Sequence, residues 1–157
     1  MTTILDTNLD NVLENLCKDK TLFKTSNDEP TPLELCTEMI KYIPDMWWAK
    51  KRNSFKILDP CTGFGNFMIC IFRQLQKDYN TKTILENIFH FNEINEDRLS
   101  YLKSIFMNDQ FNLNITNIDF LKYPEDTLYD LQMVNPPFAK FHEVIEGDKV
   151  ILKRSSK

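Results

Sequence analysis

Between Phe55 and Tyr79 the chain changes period twice. The apolar run Phe55 to Leu58 reads as a short strand, breaks into Asp59-Pro60-Cys61-Thr62-Gly63-Phe64-Gly65-Asn66, and resumes as an apolar, helix-spaced stretch from Phe67 to about Tyr79. A strand that passes through a glycine turn into an apolar helix is the first half of a parallel crossover, and it commits the chain to a parallel sheet. The remaining sequence repeats the pattern. A polar loop around Asn80 to Thr83 leads through ILEN into the strand IFHFN, and Leu99, Leu102, Ile105 and Phe106 then recur at helical spacing. Phe111, Leu113 and Ile115 alternate as a third strand, and YDLQMV is a fourth. The fold class expected is α/β, a largely parallel sheet with helices on both faces.

Two helices are expected ahead of this core. Leu9, Val12, Leu13, Leu16 and Cys17 fall on one helical face. In TPLELCTEMIKYIP, Thr31 is placed to cap, Pro32 fits the first turn and Glu34 can close a capping box. Leu35, Cys36, Met39, Ile40 and Ile43 form the expected buried stripe, with Pro44 as the stop. Trp47 and Trp48 read as core packing, and Lys50, Lys51 and Arg52 as a solvated linker. Residues 1–157 are thus expected to form one domain, with helices over 1–50, a core over 55–140 and a short basic tail over 141–157 in which VILKRS has room to be one more strand.

Composition narrows the function. Nineteen basic against 23 acidic residues give a net charge of -4, which excludes a protein that coats nucleic acid by charge alone. The four cysteines, Cys17, Cys36, Cys61 and Cys70, form no CxxC pair and lie away from the two histidines, so neither a metal site nor a disulfide framework is expected. That usage favours a reducing, cytoplasmic or otherwise intracellular setting. No apolar run reaches membrane-spanning length, and MTTILDTNLD lacks the order of a signal peptide, so no membrane partner is expected.

The chemistry concentrates where ligands of parallel sheets bind, beyond the carboxyl ends of the strands. Gly63 and Gly65 let backbone approach a ligand closely; no lysine follows to make a phosphate loop, and Met68 stands where a dinucleotide fingerprint wants its third glycine. Glu93, at the end of the second strand, is placed to accept both ribose hydroxyls of an adenosine-containing cofactor, whereas Asn95, Glu96 and Asp97 suit a helix start. Asp119 can accept from an adenine amino group with Phe120 packed against the ring. After the fourth strand, Asn135-Pro136-Pro137-Phe138 is a rigid turn offering carbonyl oxygens, an amide side chain and an aromatic face. A planar amino group needs two acceptors and a stacking surface, and this turn supplies both.

The ordered set Thr31-Pro32, LDPCTGFGNF from Leu58 to Phe67, NEIN over 92–95, NIDF over 117–120 and VNPPF over 134–138 resembles the S-adenosylmethionine-dependent DNA adenine-N6 methyltransferases of restriction-modification systems. The resemblance covers roughly residues 30–140 and implies a Rossmann-like class I methyltransferase sheet. It implies that the Thr31-Pro32 helix start and the loop with Asp59, Cys61, Gly63 and Gly65 hold the methionine end of the cofactor, that Glu93 takes the ribose, and that Asp119 and Phe120 flank the adenine. Asn135 and the carbonyl of Pro136 would accept from the target amino group, Pro137 would stiffen the turn and Phe138 would stack on the base. Cys61 is then a loop residue, since direct methyl transfer to nitrogen needs no thiol nucleophile.

Two departures from that family set further expectations. Its sheet has seven strands and its enzymes carry a target-recognition region, whereas 19 residues follow Phe138 here, so the sheet is expected to be incomplete at its carboxyl-terminal end. DNA binding by the isolated chain is then expected to be weak, with a protein partner or second subunit supplying the remainder. Two alternatives stand beside the DNA enzyme: a non-catalytic cofactor-binding or interaction module, and a protein glutamine N-methyltransferase using the same acceptor turn, against which the Thr-Pro helix start argues.

Overall fold

The computed structural model describes residues 2–22, 29–48, 55–124, 128–136, 141–146 and 149–154. Four strands, β1 (Ile57–Asp59), β2 (Phe89–Asn92), β3 (Asn114–Thr116) and β4 (Leu131–Gln132), form a parallel sheet in the order β3-β2-β1-β4. Around it lie α1 (Leu9–Lys18), α2 (Leu33–Lys41), α3 (Asp45–Trp48), α4 (Asn66–Leu75), α5 (Thr81–Thr83) and α6 (Glu96–Ile105). All three residues of β1 are buried, the signature of a central strand covered on both faces. Because β1, β2 and β3 step in one direction across the sheet, right-handed crossovers put α4 and α6 on the same face. The return from β3 to β4 runs the other way, and carries the 3-10 turn Phe120–Lys122.

The core follows from the apolar pattern. Eight of the ten residues of α4 are buried, so it is a central helix rather than an amphipathic one, and it packs against α2. Phe106, at the end of α6, lies against Phe91 at 4.8 Å and Phe89 at 6.3 Å between ring centroids. Trp47 meets both Trp48 and Phe55 edge-on, which places the tryptophan pair in the core as the sequence suggests. The linker residues Lys50, Lys51 and Arg52 lie outside the described residues.

Several elements depart from expectation for identifiable reasons. Helix α2 begins at Leu33 with Pro32 as its cap residue, and no side chain caps it. Thr31 is one residue too early to serve and Glu34 closes no capping box. Its buried side narrows to Cys36 and Ile40, with Leu35 and Met39 exposed. Helix α4 ends at Leu75, where the Leu75 carbonyl takes the amides of both Asp78 and Tyr79. The polar segment after it is ordered as a capped turn: Asn80 accepts from the Thr83 amide at 2.8 Å, α5 follows, and a π-helical turn over Ile84–Ile88 delivers β2. The third strand starts three residues late because the Phe111 amide still bonds the Met107 carbonyl, closing a turn in which Met107 has φ 56°. Beyond the sheet, Phe141–Glu146 (β5) and Lys149–Arg154 (β6) form an antiparallel hairpin where one strand was expected.

Candidate active site

The parallel register brings the ends of β1, β2, β3 and β4 to one edge. There Asn92, only 2% exposed, joins the loops after β1 and β3 to the end of β2: its Nδ2 donates to the carbonyls of Pro60 and Ile118 at 2.9 and 3.0 Å, and its Oδ1 accepts from Thr116 Oγ1 and the Ile118 amide. All four bonding positions of the amide are filled, so it is a structural polar group with no capacity left for a ligand. In the sequence Asn92 shows only as the first residue of NEIN, where the second strand ends.

The glycine turn is braced from β2. Glu93 is buried; its Oε2 accepts from the Gly63 amide at 2.7 Å and its Oε1 from the Asn95 amide at 2.7 Å, with Arg98 Nε 3.9 Å away. The carboxylate therefore fixes the loop that opens onto the site, with lone pairs to spare for hydroxyl donors. Asn95 caps α6 as expected, accepting from the amides of Asp97 and Arg98, while Glu96 and Asp97 sit in its first turn.

The two glycines do different work. At Gly63 (φ +58) an added Cβ would meet nothing within 4 Å, so the loop there is open towards whatever occupies the site. At Gly65 (φ +86) a Cβ would fall 2.5 Å from Phe106 Cε2. The close approach that the missing Cβ of Gly65 permits is to Phe106 and Leu102 of the core.

An open cleft is lined by Thr31, Asp59, Cys61, Gly63 and Asn135 from the sequence-derived set, joined by Glu29, Pro30, Thr62, Phe64, Asn66, Phe67 and Arg98. Asp59 is 1% exposed, and burial pushes its carboxyl up to about 8, with the charge of Glu93 adding and the Cys61 amide opposing. The folded protein thus holds this proton up to about pH 8 where the free carboxyl gives it up near 3.8, so Asp59 makes stability fall as pH rises across that window. Asn66, also buried, donates through Nδ2 to the Thr31 carbonyl at 2.7 Å, while its Oδ1 has no hydrogen-bond partner. Asn135 donates through Nδ2 to Thr31 Oγ1 at 3.0 Å and lies 3.5 Å from the Glu29 carbonyl. Thr31 therefore uses its hydroxyl on Asn135 rather than on its helix.

Other sequence-derived positions stand apart from this lining. Pro32 is exposed at the start of α2, and Pro136 is exposed beside Asn135. Asp119 caps the turn after β3 through the Leu121 amide, with Phe120 exposed next to it. Pro137 and Phe138 lie outside the described residues. Asn66 was read only as the end of the glycine cluster, with no role of its own, and Arg98 and Glu29 went unread because an arginine in a helix and a glutamate before a proline carry no pattern of their own.

The family description N-6 DNA Methylase matches residues 19–154. The chain belongs to this family. Its fold is the Rossmann-like α/β methyltransferase fold that the strand order and the crossovers describe. Among solved structures, this chain is similar to a modification subunit of a putative type I restriction enzyme from Vibrio vulnificus YJ016, with a TM-score of 0.59 and 18% identity. That match covers 87% of this chain and 29% of the subunit, so the chain spans under a third of that relative's length. No curated protein matches it.

Proposed function

We propose that the chain carries the cofactor and base-acceptor part of a DNA adenine-N6 methyltransferase that uses S-adenosylmethionine. The observation that carries the reading is the convergence of Asn135, at the end of β4, with Asp59 and the Gly63 loop, at the end of β1, on one cleft. The lining suits a cationic, hydrogen-bonding guest: the unpartnered Asn66 Oδ1 is an acceptor, the Asp59 carboxyl can supply negative charge, and Gly63 leaves the loop open. Family membership favours DNA over a protein amide as the acceptor.

S-adenosylmethionine supplies a sulfonium methyl group. Asp59, Cys61, Gly63 and Asn66 would bind its methionine end, Glu93 its ribose, and Asp119 with Phe120 its adenine. Asn135 Oδ1 and the Pro136 carbonyl would accept the two amino hydrogens of the target adenine, turning the nitrogen lone pair towards the methyl for in-line displacement and stabilising the positive charge that builds on nitrogen. Bringing a duplex adenine to these acceptors requires flipping it from the stack. The chain's own charge of -4 supplies little phosphate affinity, so a partner subunit is proposed to bring the DNA, in a reducing intracellular compartment. At physiological salt the chain alone should shift DNA only weakly and without sequence preference; nanomolar, sequence-selective binding in a mobility-shift series would sink that expectation.

The test of the cofactor reading is calorimetric. A cation placed beside Asp59 favours its ionised form, so binding at pH 7 should release on the order of one proton, fading above pH 8. Affinity should accordingly rise with pH up to about 8, by no more than about tenfold per unit, and then level. Titrations in phosphate and in Tris, buffers of different ionisation enthalpy, measure the proton directly. Absence of binding, or proton release undiminished in Asp59→Asn, would remove Asp59 from the site.

A further inference from the structure

We infer that Thr31 is a positioning residue for the transfer step: its hydroxyl holds the Asn135 side chain with the amide nitrogen turned inward and the amide oxygen free to receive the target amino group. The inference rests on the reading of Asn135 as the acceptor and assigns the group that orients it. An asparagine amide is nearly symmetric in shape and opposite in function at its two ends. On a turn at the edge of the sheet, nothing in the side chain itself selects the end that faces the substrate. A flipped amide would set NH₂ against NH₂, donor against donor.

Two partners make the selection. Asn135 Nδ2 lies 3.0 Å from Thr31 Oγ1 and 3.5 Å from the Glu29 carbonyl oxygen. A carbonyl only accepts, so the end of the amide facing Glu29 and Thr31 must be the nitrogen. Thr31 is in turn pinned from the other side, its carbonyl taking Asn66 Nδ2 at 2.7 Å and Cys36 Sγ at 3.7 Å. Asn66 opens α4 and Cys36 lies in α2, both buried. The acceptor turn is thereby referenced to the rigid core under the cofactor cleft through a single residue 104 positions away in sequence. Holding a reacting group to within a fraction of an ångström is worth up to about 100-fold in rate, and a side chain released at both its angle and its flip forfeits much of that.

The experiment compares Thr31→Val, which keeps shape and loses the acceptor, with Thr31→Ser, which keeps the hydroxyl, alongside Asn135→Ala and the Thr31→Val/Asn135→Ala double variant. Single-turnover transfer of labelled methyl to an adenine-containing duplex, at saturating S-adenosylmethionine, should fall about 10- to 100-fold in Thr31→Val and stay within about threefold of the parent in Thr31→Ser. Cofactor Kd should change by less than about threefold in Thr31→Val, and the double variant should be no slower than Asn135→Ala, because the two residues act through one amide. Parental transfer by Thr31→Val beside a slow Asn135→Ala overturns the inference alone, whereas parental transfer by Asn135→Ala overturns the acceptor reading beneath it. Additive losses, or a cofactor affinity that falls as far as the rate, also overturn the positioning role. A readout free of turnover is the pair of Asn135 side-chain amide proton resonances: Thr31→Val should speed their solvent exchange and Thr31→Ser should restore the parental rate. An unchanged pair in Thr31→Val rejects the hydrogen bond itself.

Discussion

Asn135→Ala is expected to lower the maximal rate of methyl transfer by at least about 100-fold while cofactor affinity stays near the parental value. The amide oxygen is proposed to accept from a nitrogen that gains positive charge as the methyl arrives, so the contact strengthens between the bound state and the transition state. Binding that is equal in both states would alter affinity without altering rate; binding that grows along the reaction alters the rate. Asn135→Asp keeps an acceptor and brings a negative charge towards a developing positive one, and a smaller fall is expected. Both changes leave in place the rest of the cleft's lining, which comes from Glu29 to Thr31, the β1 loop, the start of α4 and Arg98 of α6. Single-turnover transfer run beside calorimetry separates the two quantities, and an Asn135→Ala protein that transfers at the parental rate would reduce the acceptor turn to a structural feature. Such a result would also favour the non-catalytic module considered from the sequence.

Gly65→Ala should be the most damaging single methyl addition in the β1 loop, destabilising the fold by about 3 kcal/mol. Two costs combine. An alanine at φ +86 is strained by its own backbone, and its Cβ would lie 2.5 Å from Phe106 Cε2, 2.9 Å from Cζ and 3.1 Å from Leu102 Cδ1. Phe106 is fully buried among Phe89 and Phe91 and has no free volume to retreat into. Gly63→Ala is the control: it shares the positive φ and meets nothing, so about 1 kcal/mol is expected. Urea denaturation of the two variants measures the difference as a shift in midpoint at constant slope. Equal losses would mean that the Phe106 packing is looser than its burial indicates.

This contrast also marks where sequence reasoning reached and where it stopped. Alternation of apolar runs with glycine, acidic and proline turns was enough to place the strands and the edge at which they end, because burial on both faces demands continuous apolar segments. The Asn95 cap was legible for the same local reason: capping is decided within four residues. A Thr-Pro step also looked like a local cap, yet Thr31 bonds a residue 104 positions away, and no spacing rule encodes a partner brought near only by the completed sheet. Likewise GxG announces a turn without saying which glycine lies open and which packs against Phe106. The polar run Asn80 to Thr83 hid a capped helical turn because asparagine and threonine serve loops and caps alike. Phe141–Glu146 was passed over as part of the tail because FHEVIE follows neither strict alternation nor a continuous apolar run, and it forms a strand through pairing with its neighbour.

Asn92 sets a rule for how this edge can be remodelled. Its four bonds reach Pro60 in the first loop, Thr116 at the end of β3 and Ile118 in the third loop, so these points are spaced by one side chain. Extra residues inserted on the tips of the loops, beyond those anchors, leave the spacing intact and should be accommodated. A single residue added between Thr116 and Ile118 changes which carbonyl and amide face Asn92 and strands buried polar atoms. Diversity of substrate in proteins built this way is therefore expected to enter by lengthening loop tips, with the strand-end junctions inherited unchanged.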